Sequence, residues 1–140
     1  MILLDTSGLL SAIDRSQRHH EAARRALEAA PPPWILSPFV LAELDYLLAT
    51  RVSQDAERAL LAEVARGVYR VEAFDGPDIE AAERIIGRYR ELQVGLADAS
   101  VVVLATRYAV RDLLTLDERH FRAMRGPGGR PFRLLPADAC

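Results

Sequence analysis

The sequence predicts an α/β domain in three layers, with helices on both faces of a mainly parallel sheet of four to five strands. Short apolar runs typical of buried strands alternate along the chain with longer amphipathic segments typical of helices. This alternation favours parallel strands joined by crossover helices. The chain has 140 residues, without an internal repeat or a linker that would divide it. We therefore expect a single domain over residues 1–140.

The first half of the chain predicts two strands and four helices. Three prolines at 31–33 end one helix firmly before the second strand. Ser37 followed by Pro38 is a typical helix start, with serine as N-cap and proline at the first helical position. Ser53 is a second candidate N-cap. The predicted strands are Ile2–Leu4 and Trp34–Leu36, and the predicted helices are a segment ending at Ile13, residues 17–30, residues 38–50 and residues 53–66.

The second half predicts three strands and three helices. Asp75 and Pro77 open a long helix, in which Glu80 and Arg84 have i,i+4 spacing. Residues 97–109 contain Val-Val-Val, which favours a strand, but the run is too long for one strand and its apolar residues recur at helical spacing. We interpret it as a helix. The predicted strands are residues 68–74, 112–116 and 132–135, and residues 126–129 are predicted to form a loop. The other predicted helices are residues 75–92 and 118–124. The buried stripe of helix 75–92 is predicted to consist of Ile79, Ala82, Ile86 and Tyr89.

Composition and charge exclude several classes of protein. The net charge of −2 gives no general attraction for nucleic acid, so any such contact must be local. Cys140 is the single cysteine, which rules out an intrachain disulfide and favours a reducing compartment. The N-terminal run MILLD lacks the basic residues and length of a secretory signal, and no segment approaches ~20 consecutive apolar residues. We expect a cytoplasmic protein without a membrane segment.

Four acidic residues, Asp5, Glu43, Asp98 and Asp117, lie in apolar surroundings. Asp5 and Asp117 follow predicted strands, and Asp98 lies in the first turn of a predicted helix. Ligands of open α/β sheets bind at the carboxyl edge of the strands, where these acids would meet. Each also has a simpler explanation: Asp5 as a helix N-cap, Asp98 as a partner of the helix dipole, and Asp117 as a turn residue.

Glu43 is the most informative of the four. Its neighbours at helical spacing are apolar or aromatic, so we expect it on a buried helical face, with Asp45 at the surface. Burying an unpaired carboxylate costs several kcal/mol or more, and this helical face offers no cation. Converging carboxylates would also raise one another's pKa unless a divalent cation binds them. A ligand set made only of oxygens suits Mg²⁺ or Mn²⁺ and not Zn²⁺.

Together, the four acidic motifs resemble those of PIN-domain ribonucleases, and most closely those of VapC-type toxins of toxin–antitoxin pairs. The resemblance covers the chain from Ile2 to about Leu135 and rests on four motifs in the same order and spacing. They are Asp5 in DTSGLL, Glu43 in SPFVLAEL, Asp98 in LADASVVVLA and Asp117 in LLTLDERHF. The family implies a single PIN-like nuclease domain that hydrolyses RNA phosphodiester bonds with Mg²⁺ or Mn²⁺ held by these four acids.

The resemblance also implies a supporting role for two hydroxyls, Thr6 and Thr115, and two kinds of protein partner. These are a cognate small antitoxin, whose tail lies over the acidic site, and a second copy of the chain in a homodimer. The apolar faces at residues 9–13 and 41–48 exceed what we expect one small core to cover, which would fit both partners.

Basic residues near the last acid have two interpretations. Arginine is dense at the C-terminal end, and Arg119, Arg122 and Arg125 are either a solvated surface or phosphate contacts beside the site. His120 is interpreted as a bystander, and His19 and His20 as solvent-exposed.

Several alternatives compete with this hypothesis. All 18 basic residues are arginine, which excludes P-loop hydrolases, haloacid-dehalogenase-type phosphatases and phospho-receiver domains, because each needs a lysine. The phosphatases also need an acid two residues after the nucleophilic aspartate, where this chain has Ser7. A non-catalytic PIN-like binding module would be expected to have lost one of the four acids. A housekeeping RNA-processing PIN nuclease remains the main alternative to the toxin.

Overall fold

A five-stranded parallel sheet lies at the centre of the computed structural model, which describes residues 1–139. Its strands are β1 (Ile2–Leu4), β2 (Trp34–Leu36), β3 (Arg70–Val71), β4 (Asp112–Leu114) and β5 (Arg133–Leu135). In the order β3-β2-β1-β4-β5, β1 is central and pairs with both β2 and β4. The carboxyl ends of these three strands therefore lie side by side. Cys140 lies outside the described residues.

Helices connect successive strands, which makes every connection a crossover. Seven α-helices occur within residues 1–139: α1 (Thr6–Ile13), α2 (His20–Ala29), α3 (Pro38–Arg51), α4 (Gln54–Ala65), α5 (Gly76–Arg88), α6 (Leu96–Tyr108) and α7 (Glu118–Ala123). Two 3₁₀ turns, Arg90–Leu92 and Pro127–Gly129, complete the regular structure of these residues. The predicted α/β fold with a parallel sheet is confirmed.

Helix α6 is buried over most of its length, which explains its unusual sequence. Its residues from Ala99 to Ala105 are all buried, because the helix packs against β1, α3 and α5. A helix covered on several sides is apolar all round and loses the polar stripe of a surface helix. The three valines, which favour a strand by propensity, are buried on more than one face of this helix. The prediction of a helix here is confirmed.

The predicted serine caps are also confirmed. Ser37 Oγ accepts a hydrogen bond from the backbone N–H of Phe39 at 3.1 Å, and Ser53 Oγ accepts one from Ala56 at 3.0 Å. Each cap satisfies a helix donor that would otherwise lack a partner. Because Ser37 directly follows β2, its cap fixes the point at which α3 leaves the carboxyl edge of the sheet.

The bounds of helix α2 and strand β3 differ from the prediction. The second helix begins at His20 and not at residue 17. The residues before it form a turn, in which the carboxylate of Asp14 accepts hydrogen bonds from Ser16 and Gln17. Strand β3 is only two residues long, whereas residues 68–74 were predicted; its neighbour β2 ends at Leu36, so no strand partner is available after Val71.

Strand β4 and helix α5 are also shorter than predicted. Strand β4 ends at Leu114 and not at residue 116, and α5 ends at Arg88, after which a 3₁₀ turn begins. The predicted buried stripe of α5 is wrong at Ile79, which is 40% exposed. Ala82 is fully buried against α6, and Ile85 packs with it in place of Ile79. The predicted Glu80–Arg84 pair forms at 2.8 Å.

The expected surplus of apolar surface on α1 is not observed. Leu9 and Leu10 are buried, because α1 packs against both α2 and α3. On α3, Leu44 and Leu48 are fully buried, whereas the large apolar side chain of Tyr46 is 67% exposed. Among the described residues, no helix combines the length and apolar character that crossing a bilayer requires.

Candidate metal centre

The four predicted acids lie where elements leave the carboxyl edge of the sheet. Asp5 directly follows β1, Glu43 is in the second turn of α3, Asp98 is in the first turn of α6, and Asp117 is the N-cap of α7. Burial is the largest cause of a raised pKa at both Asp5 and Asp98, and neighbouring charges add to it: that of Asp98 at Asp5, and those of Asp117 and Glu43 at Asp98. The fold therefore brings the four carboxylates into one electrostatic cluster.

Asp5 is the buried member of this cluster, with 4% of its surface exposed. Burial raises its pKa to about 6; hydrogen bonds from Thr115 and Ser7 oppose the rise, and the charge of Asp98 adds to it. Although Asp5 stands at the N-cap position of α1, its side chain accepts no capping hydrogen bond from that helix. The simpler explanation of Asp5 as a helix cap is therefore wrong.

Two hydroxyls hold the Asp5 carboxylate in place. Thr115 Oγ1 donates to Asp5 Oδ2 at 2.7 Å, and Ser7 Oγ donates to the same oxygen at 2.9 Å. Each hydroxyl also accepts from the chain after β4: Thr115 from the N–H of Asp117 and Ser7 from the N–H of Leu116, both at 2.9 Å. The two hydroxyls thus connect the end of β1 to the end of β4.

Ser7 is a site residue that the sequence analysis missed. Its hydroxyl reaches β4 because the next residue is glycine: a Cβ at Gly8 would lie 2.3 Å from the backbone oxygen of Leu114. A side chain there would push α1 away from the sheet. The sequence feature that could have indicated this role is a serine two residues after Asp5, followed directly by glycine.

Glu43 is exposed, which corrects the expected burial. The buried stripe of α3 consists of Val40, Leu44 and Leu48, and Glu43 lies beside this stripe at the edge of the sheet. Thr6 Oγ1 donates to Glu43 Oε1 at 2.8 Å, so the hydroxyl after Asp5 orients the second acid.

Asp45 also differs from its prediction as a surface residue. It is half-buried, and its Oδ1 is enclosed without a hydrogen-bond partner among residues 1–139. A contact with the Asp45 carboxylate is the largest cause of a raised pKa at Glu57 on α4. Asp45 therefore faces α4 and not the acidic cluster.

Asp98 and Asp117 meet at the ring of His120. The Nδ1 atom of His120 lies 3.0 Å from Asp98 Oδ2 and 2.9 Å from Asp117 Oδ2, and Nε2 lies 3.0 Å from the carbonyl oxygen of Leu92. Asp117 also caps α7, since its Oδ1 accepts from the N–H of His120 at 3.0 Å. The interpretation of His120 as a bystander is therefore wrong; its i+3 spacing from Asp117 was the signal.

These three side chains form a candidate metal site. Ligand atoms of Asp98, Asp117 and His120 all lie within 4.8 Å of one another. Burial is the main cause of the raised pKa of Asp98, while His120 lowers this pKa and Asp117 raises it. A divalent cation at this point would oppose the repulsion between the carboxylates, so the donor set fits a metal ion.

The basic residues near the site are not equivalent. The guanidinium of Arg122 donates to Glu118 and Asp138, with shortest distances of 2.8 Å to each, so it is already neutralised. Arg119 and Arg125 are exposed, and neither side chain forms an ion pair within residues 1–139.

The two early histidines also differ from each other. His19 is exposed, as predicted, whereas His20 is half-buried and its Nδ1 lies 2.8 Å from the carbonyl oxygen of Ser11. The prediction of a solvent-exposed His20 is wrong, because its ring joins α2 to α1.

Comparison with known proteins identifies the family of this chain. The PIN domain family matches residues 2–127. Ribonuclease VapC26 of Mycobacterium tuberculosis (strain ATCC 25618 / H37Rv) is 44% identical over 135 residues, which are 96% of this chain and 100% of that protein.

Solved structures share the fold. The crystal structure of Mycobacterium tuberculosis VapC20, a sarcin–ricin loop cleaving toxin, has a TM-score of 0.78 at 26% identity. The match covers 84% of this chain and 90% of the VapC20 chain. A toxin–antitoxin complex from Klebsiella pneumoniae has a TM-score of 0.68 at 21% identity, over 89% of this chain and 92% of its own, and supports the fold alone. This chain belongs to the PIN domain family, and the resemblance to VapC-type proteins indicated by its acidic motifs is confirmed.

Proposed function

We propose that this protein is a metal-dependent endoribonuclease and the toxin of a toxin–antitoxin pair, formed by one nuclease domain over residues 1–140. The observation that carries the proposal is the convergence of Asp98 and Asp117 on one point, beside the buried Asp5. Three neighbouring carboxylates repel one another and destabilise the folded protein unless they bind a cation. Family membership makes RNA hydrolysis the chemistry that such a site would perform.

The proposed roles of the acids follow from their surroundings. Asp5, Glu43, Asp98 and Asp117 would hold Mg²⁺ or Mn²⁺, since all four offer carboxylate oxygens. Held by these carboxylates, such an ion would supply Lewis acidity toward the scissile phosphate and would lower the pKa of a bound water. The protein's part is positioning: Thr115 fixes the carboxylate of Asp5, and another threonine, Thr6, fixes that of Glu43.

The RNA backbone needs positive charge that the net charge of −2 does not supply. Arg119 and Arg125 are exposed and are the better candidates for phosphate contacts on the C-terminal side of the site. Arg122 would first have to leave Glu118 and Asp138, so its proposed contribution to RNA binding is smaller.

Substrate and partners are proposed from the relatives and from the exposed surface. VapC20 is described as cleaving the sarcin–ricin loop, which makes this loop the RNA to test first. A cognate antitoxin and a second copy of this chain are the proposed protein partners, in the cytoplasm. Tyr46 on α3, Leu61 on α4 and Val52 between these helices are 67%, 41% and 42% exposed and offer apolar surface for such contacts.

The test compares an acid of the site with a matched acid elsewhere. Purified wild-type protein should cleave a sarcin–ricin loop RNA with Mg²⁺ or Mn²⁺, and Asp98→Asn should abolish cleavage. Asp55→Asn makes the same chemical change on the exposed first turn of α4 and should leave cleavage intact. Undiminished cleavage by Asp98→Asn would contradict the proposed site.

The toxin role needs a separate test in cells. Expression of the wild type and of Asp55→Asn should arrest bacterial growth, and expression of Asp98→Asn should not. Co-expression of the small protein encoded beside this one should remove the arrest through a complex that co-purifies. If the wild type cleaves RNA in vitro but leaves growth unaffected, a housekeeping nuclease replaces the toxin.

A further inference from the structure

The two ring nitrogens of His120 have different surroundings. Nε2 lies 3.0 Å from the carbonyl oxygen of Leu92. A carbonyl oxygen only accepts hydrogen bonds, so Nε2 must carry the proton. Nδ1 lies 3.0 Å from an oxygen of Asp98 and 2.9 Å from an oxygen of Asp117. In a neutral ring with this tautomer, the lone pair of Nδ1 is directed into the space between the two carboxylates.

This arrangement is typical of a histidine that binds metal. Such a histidine donates its second ring N–H to a carboxylate, a backbone carbonyl or water, and that bond fixes both the tautomer and the orientation of the ring. We propose that His120 is a ligand of the metal centre through Nδ1, alongside Asp98 and Asp117, with the carbonyl of Leu92 anchoring the ring. The inference rests on the proposed function, because it concerns the same metal site.

The backbone supports this role on both sides of the ring. Asp117 and His120 lie three residues apart in the first turn of α7, so their side chains share one helical face. The Leu92 carbonyl belongs to the 3₁₀ turn before α6, and Gln93 adopts φ of 55° directly after it. This left-handed residue turns the chain toward α6, so one short segment supplies both the anchoring carbonyl and Asp98.

A nitrogen ligand changes which cation the site prefers. Mg²⁺ favours oxygen ligands in near-ideal octahedral geometry, whereas first-row transition metals accept imidazole. With His120 as a ligand, the centre should bind Mn²⁺ more tightly than Mg²⁺. The opposite role, a doubly protonated ring that bridges the two acids as a cation, would make His120 compete with metal, and removing it would then tighten metal binding.

Electron spin-echo envelope modulation of the Mn²⁺-loaded wild type tests the proposal directly. A directly bound imidazole nitrogen gives a ¹⁴N modulation, which should change when the protein is labelled with ¹⁵N-histidine. The chain has three histidines, and His20→Asn is the matched control, since the Nδ1 of His20 also faces a backbone carbonyl. The modulation should persist in His20→Asn and disappear in His120→Asn.

Calorimetric titration supplies the second measurement. His120→Asn should weaken Mn²⁺ binding by about tenfold or more, because the loss of a residue that merely orients a ligand already costs roughly 10–100-fold. Mg²⁺ binding should change less, and His20→Asn should change neither. If His120→Asn does not fold, the wild-type spectrum with labelled histidine still decides the question.

Three outcomes would overturn the inference. They are Mn²⁺ binding without a histidine nitrogen signal, an equal loss of Mn²⁺ and Mg²⁺ affinity in His120→Asn, and tighter metal binding in that variant. In each of these, metal still binds and the proposed function stands. Absence of metal binding by the wild type would instead remove the metal site and this inference together.

Discussion

Thr115 donates a hydrogen bond from Oγ1 to Oδ2 of Asp5 at 2.7 Å, across 110 residues of sequence. The bond joins the ends of the two neighbouring strands β1 and β4, and it opposes the rise in the pKa of Asp5 that burial causes. Because the same hydroxyl accepts from the N–H of Asp117, it couples the positions of two acids of the candidate site.

Thr115→Val should lower both activity and stability. The change keeps the shape of the side chain but removes the donor to Asp5, and a hydrogen bond to a charged group contributes roughly 1.5–3 kcal/mol. We expect the free energy of unfolding to fall by about that amount in urea denaturation and RNA cleavage to slow. Thr106→Val is the control, since within residues 1–139 its hydroxyl bonds only to the carbonyl of Val102 in its own helix. Equal effects of the two changes would contradict the role of Thr115.

Asp5→Asn should raise the stability of the metal-free protein at neutral pH. The pKa of Asp5 is raised from 3.8 to about 6, so the folded state holds the proton more tightly than the unfolded chain. The resulting stabilisation is complete below about pH 4 and is lost as the pH rises through about 6. With about 1.4 kcal/mol per pKa unit, the buried charge costs as much as about 3 kcal/mol at pH 7.5.

Urea denaturation at two pH values measures this effect. Asp5→Asn should unfold at a higher urea concentration than wild type at pH 7.5, and the difference should shrink toward pH 4. A difference that stays constant over this range would show that the charge of Asp5 is not its cause.

Glu43→Gln and Asp45→Asn should separate two acids on the same helix. Glu43 is exposed and bonded by Thr6, so its neutralisation should abolish RNA cleavage and leave the melting temperature nearly unchanged. Asp45 faces Glu57, and an amide there would relieve the carboxylate contact. Asp45→Asn should therefore raise the melting temperature and leave cleavage intact. Equal loss of cleavage in both variants would be incompatible with the orientation of α3.

Divalent metal should stabilise the protein by mass action. At about 100 times the dissociation constant, a ligand that binds only the folded state adds about 2.7 kcal/mol to the free energy of unfolding. Mg²⁺ or Mn²⁺ should raise the melting temperature of wild type and of Asp55→Asn, and the rise should be much smaller in Asp98→Asn. An equal rise in all three proteins would point to metal binding elsewhere.

Arginine substitutions should separate RNA contacts from structural ion pairs. Arg119→Ala and Arg125→Ala should weaken RNA binding at low salt and reduce the slope of log K against log salt concentration by roughly 0.7–0.9 for each phosphate that is no longer neutralised. Arg122→Ala should leave the slope unchanged and lower the free energy of unfolding only slightly, because Arg122 and Glu118 are exposed and Asp138 is only half-buried. Filter binding at several salt concentrations and urea denaturation provide the two measurements. A reduced slope for Arg122→Ala alone would reverse these assignments.

The sequence by itself determined the succession of strands and helices along the chain, because hydrophobic periodicity and capping residues act over a few neighbouring positions. It also placed the acids: Asp5 follows β1, Asp98 lies in the first turn of α6 and Asp117 lies between β4 and α7. Parallel strands bring such positions to one edge, so local pattern and fold class were sufficient to predict that these carboxylates lie close together.

Only the tertiary structure decided the environment of each side chain. Glu43 has apolar neighbours along its helix but is exposed, because burial depends on what packs against a helix and not on the helix itself. Ser7 reaches β4 because Gly8 allows close packing, and His120 reaches Asp98 because α7 lies against the turn at Leu92. These contacts join residues far apart in the chain, and their geometry is set by the packing of whole elements, which local sequence does not specify.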